Sequence, residues 1–217
     1  MQIFVESLYA GKIQRLEPEG QPTGFYKTSI EKADINELGI IGDRQADKRH
    51  HGGSEKALHQ YSLDAYANLK KRYKKLAPQF IPGSMGENIS ASLMNEKNVY
   101  LGDKYQLGEV IIQVSQPRTP CWKINHKFHE PSMSKFIEEN QLNGWYYRVL
   151  RTGQIERGDR IELISRYNNA LNIYQFLRII QQHRPKLAQL EQCLDCPDLA
   201  PEWQQRLSHR LQYLRQN

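Results

Sequence analysis

The sequence predicts a mainly β protein of the α+β class: a β-barrel-like or sandwich body with helical insertions, then a small C-terminal three-helix unit. Three observations carry this. Residues 1–165 hold many short apolar runs with partial alternation, punctuated by glycine and proline turns. Within them one extended pattern repeats at three and four residues, as a helix does. Near Ser165 the texture changes to three such helical patterns separated by prolines.

In chain order, residues 3–8, 12–16 and 26–35 read as strands, separated by Gly11, Gly20, Pro22 and Gly24. Residues 38–44 form a glycine-bracketed apolar turn, and a loop dense in charge and histidine follows through residue 54. Ser62 is placed to cap a helix carrying Leu63, Tyr66, Leu69, Tyr73 and Leu76, with Lys70, Lys71, Arg72, Lys74 and Lys75 outside and Pro78 and Pro82 ending it. Residues 83–88 are a polar glycine turn, and 99–103, 105–107 and 109–115 read as closely spaced strands. A short helix over 133–140 and strands over 145–150 and 160–164 complete the body. Beyond it, Asn169 is placed to cap a helix with Leu171, Tyr174, Leu177 and Ile180. Pro185 opens a second with Leu187, Leu190 and Leu194, and Pro201 a third with Trp203, Leu207, Leu211 and Leu214. The expected division is 1–165 and 166–217, the latter near the lower size limit for independent stability.

The chain has 217 residues, 39% hydrophobic and 25% charged, which excludes a disordered or collagenous class. No apolar run is long enough to span a bilayer, and the N-terminus lacks the basic, then apolar, pattern of a secretory signal. Three cysteines argue for a reducing, cytoplasmic setting rather than a disulfide scaffold. A net charge of +6 favours an anionic partner, either nucleic acid or a phosphorylated small molecule.

The chemistry concentrates on residues 115–124. The apolar strand 110–114 ends there, and Pro117 and Pro120 stiffen the chain in a non-helical form. Cys121 is thereby presented close to Arg118 and Lys123, and nearby positive charge favours the thiolate, which attacks electrophiles and binds soft metals. A buried structural cysteine beside Trp122 is the competing reading. Four polar loops accompany it: the Gly42 turn with Asp43 and Arg44, the loop with Arg49 and His51, the Gly86 turn with Asn88, and the Cys121 loop itself. Glycine lets backbone N–H groups approach an anion, although glycine turns are also ordinary between strands.

Other chemistries are weaker. His50, His51 and His59 lack zinc-site spacing. Cys193-Leu194-Asp195-Cys196 is a lone C-x-x-C at a helix end, read as incidental. The lysine-rich helix face lacks the aromatic interleaving of an RNA-binding sheet, so nucleic acid is not expected. A Cys121–His51 nucleophile–base pair is chemically reasonable, with no sequence signature to support it.

Taken in order, Gly39-x-x-Gly42-Asp43, His51-Gly52-Gly53, Gly86-Glu87-Asn88, Gly102-Asp103 and Ser115-Gln116-Pro117-Arg118-x-Pro120-Cys121 resemble the MOSC domain, the molybdenum cofactor sulfurase C-terminal domain family. Gly11-Lys12-Ile13-Gln14, Glu96-x-Asn98-Val99-Tyr100-x-Gly102-Asp103, Gly144-Trp145-x-Tyr147 and the helical tail resemble its YiiM type, so the likeness covers nearly the whole chain. The resemblance implies a MOSC-type β-barrel that binds molybdenum cofactor (molybdopterin with Mo), with Cys121 as the metal ligand and catalytic residue. Cations at Arg44, Lys48, Arg49 and Arg118 are the expected phosphate partners, His51 and Asn88 the expected pterin partners, and Lys27 matches a lysine on an early strand of the family. It further implies reduction of N-hydroxylated compounds such as hydroxylaminopurine bases, a separate electron-donor reductase, and a homodimer. Pyridoxal phosphate binding comes with the resemblance only as a family-level term. A cofactor carrier without turnover is the alternative reading.

Overall fold

The computed structural model describes residues 2–18, 20–47 and 51–216. Its strands are β1 (Ile3–Phe4), β2 (Ser7–Ala10), β3 (Gln14–Leu16), β4 (Gln21–Thr23), β5 (Thr28–Ile30), β6 (Lys32–Asn36), β7 (Gly39–Ile40), β8 (Leu58–Gln60), β9 (Ile89–Ser90), β10 (Lys104–Leu107), β11 (Val110–Pro117), β12 (Trp145–Arg151), β13 (Gly153–Glu156) and β14 (Arg160–Ser165). The helices are α1 (Leu63–Arg72), α2 (Lys123–Lys127), α3 (Met133–Glu139), α4 (Ile173–Ile180), α5 (Leu187–Leu194) and α6 (Pro201–Gln216).

Nine strands form one sheet in the order β1-β14-β10-β11-β12-β8-β9-β2-β5, antiparallel except for the parallel β8–β9 pair. Only Val5 and Glu6 separate β1, at one edge, from β2, next to the other edge. Three Cα steps reach at most about 11 Å, so the sheet must curl until its two sides nearly meet. Val5 N–H donates to Asp159 O at 2.8 Å and Glu6 N–H to Ser90 O at 3.0 Å, which ties the crossing to both sides. The result is a half-barrel. The three-stranded sheet β13-β6-β7 and the hairpin β3-β4 stand beside it.

One apolar core joins the inner face of this sheet to the C-terminal helices: Leu8, Ile112, Val114 and Tyr147 lie in the same buried cluster as Phe176, Leu190, Trp203 and Leu207. Cys193 and Cys196 belong to that cluster as buried thiols, and burial raises both, Cys193 to about 12. A second core, built on Tyr61, Tyr66, Leu69, Phe80, Phe128 and Ile137, packs α1 against α2 and α3. Among the described residues no helix is long and apolar enough to cross a membrane.

Local chemistry explains most boundaries. The Ser62 hydroxyl accepts from Asp64 N–H at 3.1 Å and Ala65 N–H at 3.4 Å, which caps α1. Pro201 opens α6 at its first residue, where a missing N–H costs nothing. Four expectations are corrected. The run 26–35 splits at Glu31 into β5 and β6, which join different sheets. Residues 99–103 form a turn rather than a strand, because the Asp103 carboxylate takes the Tyr100 N–H at 3.0 Å and Gly102 adopts a φ of +80°. The cap of α4 is Asn172, not Asn169: its side chain accepts from Gln175 N–H at 2.7 Å, and Gln175 returns a bond to the Asn172 N–H. Finally, α1 stops at Arg72, and a 3-10 turn over Lys74–Gln79 carries the chain to Pro78 and beyond.

Candidate functional site

The loop bearing Cys121 is clamped from both sides. Ser115 Oγ donates to Glu55 O at 2.6 Å and to Tyr146 O at 3.1 Å. Arg118 N–H donates to Gly144 O at 3.0 Å, and Asn143 Nδ2 donates back to Arg118 O at 2.8 Å. Cys121 O then accepts the Ile124 N–H at 2.9 Å, so the stiff loop runs directly into the short helix α2. The thiol is partly exposed and sits on the rim shared by two contiguous cavities. The deeper one, about 80 Å³, reaches down to Lys27, His59, Met85 and Asn88.

Its floor is the parallel β8–β9 junction. Asn88 N–H donates to His59 O at 2.7 Å, and His59 N–H donates to Asn88 Oδ1 at 3.1 Å. Asn88 Nδ2 donates to Tyr9 O at 3.1 Å and to Asp43 Oδ2 at 3.0 Å, so this amide binds the framework together. Lys27 Nζ donates to Asp43 Oδ2 at 2.6 Å, and Asp43 Oδ1 takes the Gly11 N–H at 2.8 Å. Burial lowers the Lys27 pKa, opposed by the Asp43 charge. Gly86, at φ +77°, turns the chain beneath Phe25, where a Cβ would press to 3.3 Å from Phe25 O. The Glu87 carboxylate holds that turn, accepting from Tyr66 Oη at 2.7 Å, Gly83 N–H at 2.6 Å and Met85 N–H at 3.1 Å.

Two buried polar atoms in the wall of this cavity find no partner among the described residues: His59 Nε2 and an Arg118 guanidinium nitrogen, NH1. Burial first, then the Arg118 and Lys27 charges, push the His59 pKa well below its ordinary value, so the imidazole is neutral. Its ring lies 5.2 Å from that of Tyr146. Tyr146 shares this wall with the Arg118 side chain, whose guanidinium carbon stands 5.7 Å from the Phe25 ring centre. Native proteins rarely leave such groups unsatisfied, because each forfeits its bonds to water. A ligand that supplies an acceptor to Arg118 and a donor to His59 satisfies both.

Of the residues singled out in the sequence, Cys121, Arg118, His51, Asn88 and Lys27 line this cavity together. Arg44 is exposed and absent from its wall, its backbone instead bonding Gly11 O. Lys48 and Arg49 lie outside the described residues, as does His50. His59, Lys56 and Tyr146 complete the wall and were not assigned to the site from sequence. In sequence His59 stands between Leu58 and Gln60, a context that does not mark it as a site residue.

Residues 47–162 match the MOSC domain, and the chain belongs to the MOSC domain family. It is 34% identical over 205 residues to the protein YiiM of Escherichia coli (strain K12), covering 94% of this chain and 90% of that one. A crystal structure of YiiM from Escherichia coli superimposes with a TM-score of 0.83 at 26% identity, over 98% of this chain and 94% of that one. A crystal structure of YiiM from Geobacillus stearothermophilus gives 0.81 at 29% identity, over 96% and 99%. A protein of Gibberella moniliformis named a reductase is 36% identical over 160 residues, covering 73% of this chain but 28% of that longer one.

Proposed function

We propose that the protein is a molybdenum-cofactor-dependent reductase of N-hydroxylated compounds, with Cys121 as the protein ligand to molybdenum. The observation that carries this is the pairing of a partly exposed thiol with two buried polar atoms that no described residue satisfies, Arg118 NH1 and His59 Nε2, in one cavity wall. The donor set fits the group. A soft thiolate suits molybdenum already held by two dithiolene sulfurs. A buried guanidinium suits an anionic oxygen and a neutral imidazole suits a pterin N–H, while Lys56 and Lys123 add positive charge at the rim.

When bound, the cofactor supplies a two-electron redox centre. The net reaction is R–NHOH + 2e⁻ + 2H⁺ → R–NH₂ + H₂O: the N–O bond breaks, nitrogen is reduced, and the oxygen leaves as water. The electrons come from a separate reductase. The chain's own part is positional. Pro117 and Pro120 hold the Cys121 sulfur on the cavity rim, and the Asn143 side-chain amide and the Gly144 carbonyl clamp the Arg118 backbone below it. Asn88 and Asp43 hold the floor, and with it His59. The reading includes a cytoplasmic homodimer.

Protein purified from a cofactor-competent host is expected to carry stoichiometric molybdenum and pterin and to reduce a hydroxylaminopurine with a supplied reductase. Cys121→Ser is expected to abolish turnover and lower bound metal. Full metal content and activity in that variant overturn the proposal. Bound metal without turnover, whatever the reductant, assigns the chain to cofactor carriage instead.

A further inference from the structure

The second cavity lies on the other side of Cys121. It is a groove of about 460 Å³ between the Cys121 loop and the first two turns of α6, walled there by Glu202, Trp203 and Arg206. It shares Asp47, His51, Lys56, Cys121, Lys123 and Tyr146 with the deeper cavity, so the thiol stands where the two meet.

The far wall is firmly placed. Ala200 N–H, just before α6, donates to Ser115 O at 3.0 Å, on the strand that leads into the Cys121 loop. Lys56 Nζ bonds Glu202 Oε2 at 2.8 Å, which ties α6 to the cavity rim. Trp203 is buried edge-to-face against Phe176, with ring centres 5.4 Å apart. On this anchored indole lies Arg206, its guanidinium carbon 4.3 Å from the ring centre. Arg206 is exposed and makes no hydrogen bond or ion pair with any described residue. A flat cation with five N–H donors is therefore held against a rigid aromatic surface, with no described residue receiving those donors. Across the groove Trp122 is 44% exposed, its ring held edge-to-face against His126 at 4.8 Å.

We infer that this groove is the substrate site, and that Arg206 held on Trp203 selects flat heteroaromatic N-hydroxylated bases over aliphatic ones. The inference rests on the reading of Cys121 as the molybdenum ligand, which leaves the α6 wall of the groove to a substrate that approaches the thiol from that side. A planar guanidinium offers a stacking face to a ring and paired donors to ring nitrogens or carbonyl oxygens. An aliphatic hydroxamic acid offers neither. The C-terminal helix thereby becomes part of the site.

The test is equilibrium binding by calorimetry to the metal-loaded protein, with 6-hydroxylaminopurine and acetohydroxamic acid as the two probes. Arg206→Ala is expected to weaken purine binding about tenfold, or ~1.4 kcal/mol, while leaving acetohydroxamic acid binding and molybdenum content as in the parent. Arg206→Lys keeps the charge but loses the plane, and is expected to weaken purine binding by a similar factor. Unchanged purine affinity in both variants overturns the inference, as does equal loss for the two probes or failure of the parent to bind the purine. Unchanged purine affinity with turnover that now demands more reductase gives the groove to the electron donor instead, and equally overturns it. Because binding is read without turnover, a protein that binds the purine through Arg206 but never reduces it refutes the proposed reaction alone.

Discussion

Lys27 Nζ and Asp43 Oδ2 meet at 2.6 Å beneath the candidate cofactor cavity, their side chains only 7% and 2% exposed. The carboxylate also receives the Gly11 N–H, the Asn88 amide and the Gln45 amide, so removing it takes the acceptor from four donors at once, one of them a buried cation. Removing the lysine leaves the carboxylate with three neutral donors. Breaking a buried pair costs about 3–5 kcal/mol. Asp43→Ala is therefore expected to fall in that range, and Lys27→Met to cost roughly half as much. Urea unfolding of the two variants checks the ordering, and equal losses would count against this account.

Glu96 gives the protein a specific pH dependence. Its carboxyl is buried and accepts the Gly144 N–H at 3.0 Å, and burial raises its pKa to about 7. Gly144 O in turn receives the Arg118 N–H, so this carboxyl stands behind the Cys121 loop. Folding favours the protonated form, so its contribution is largest below the unfolded pKa of about 4.5. Stability is lost as pH rises from there to about 7, by about 3 kcal/mol in all. Burial of neutral His59 acts in the opposite sense, costing stability as pH falls below its ordinary pKa. The Glu96 part is isolated by comparison with Glu96→Gln, whose carbonyl oxygen keeps the Gly144 bond without titrating. The variant is expected to gain on the parent between pH 5 and pH 7, read from denaturant midpoints; parallel pH profiles would refute this.

The features legible in the sequence were those decided by neighbours in the chain. Ser62 bonds residues two and three positions ahead, and Pro201 needs only its own ring to open α6. The ordered glycine motifs likewise announced the family before any contact was known. Features decided by distant pairing were not legible. His59 enters the cavity wall because β8 runs parallel to β9, and its own backbone bonds Asn88, 29 positions away. Arg206 reaches the groove because α6 is pinned to Ser115 and Lys56. Asn169 failed as a cap because Asn172, three residues later, reaches its own helix start and shares an isolated bridge with Tyr100. Cap choice between two nearby asparagines depends on where the preceding chain is held.

Arg118 separates binding from folding. Its backbone carries the clamp to Gly144 and Asn143, which a side-chain substitution leaves in place. The residue is 5% exposed, and one guanidinium nitrogen has no partner among the described residues, so the cofactor-free protein bears an uncompensated desolvation cost there. Arg118→Met fills the same space with an apolar chain and gives up the cation's contact with the Phe25 ring. The two effects oppose, so the cofactor-free variant is expected to match the parent within about 1 kcal/mol. Cofactor retention is expected to fall at least tenfold, since a hydrogen bond from a charged donor contributes about 1.5–3 kcal/mol. Denaturant unfolding of protein made in a cofactor-deficient host gives the first quantity. Molybdenum and pterin per chain from a competent host give the second. Undiminished cofactor content, or a stability loss above about 3 kcal/mol, would make Arg118 a structural residue rather than a binding one.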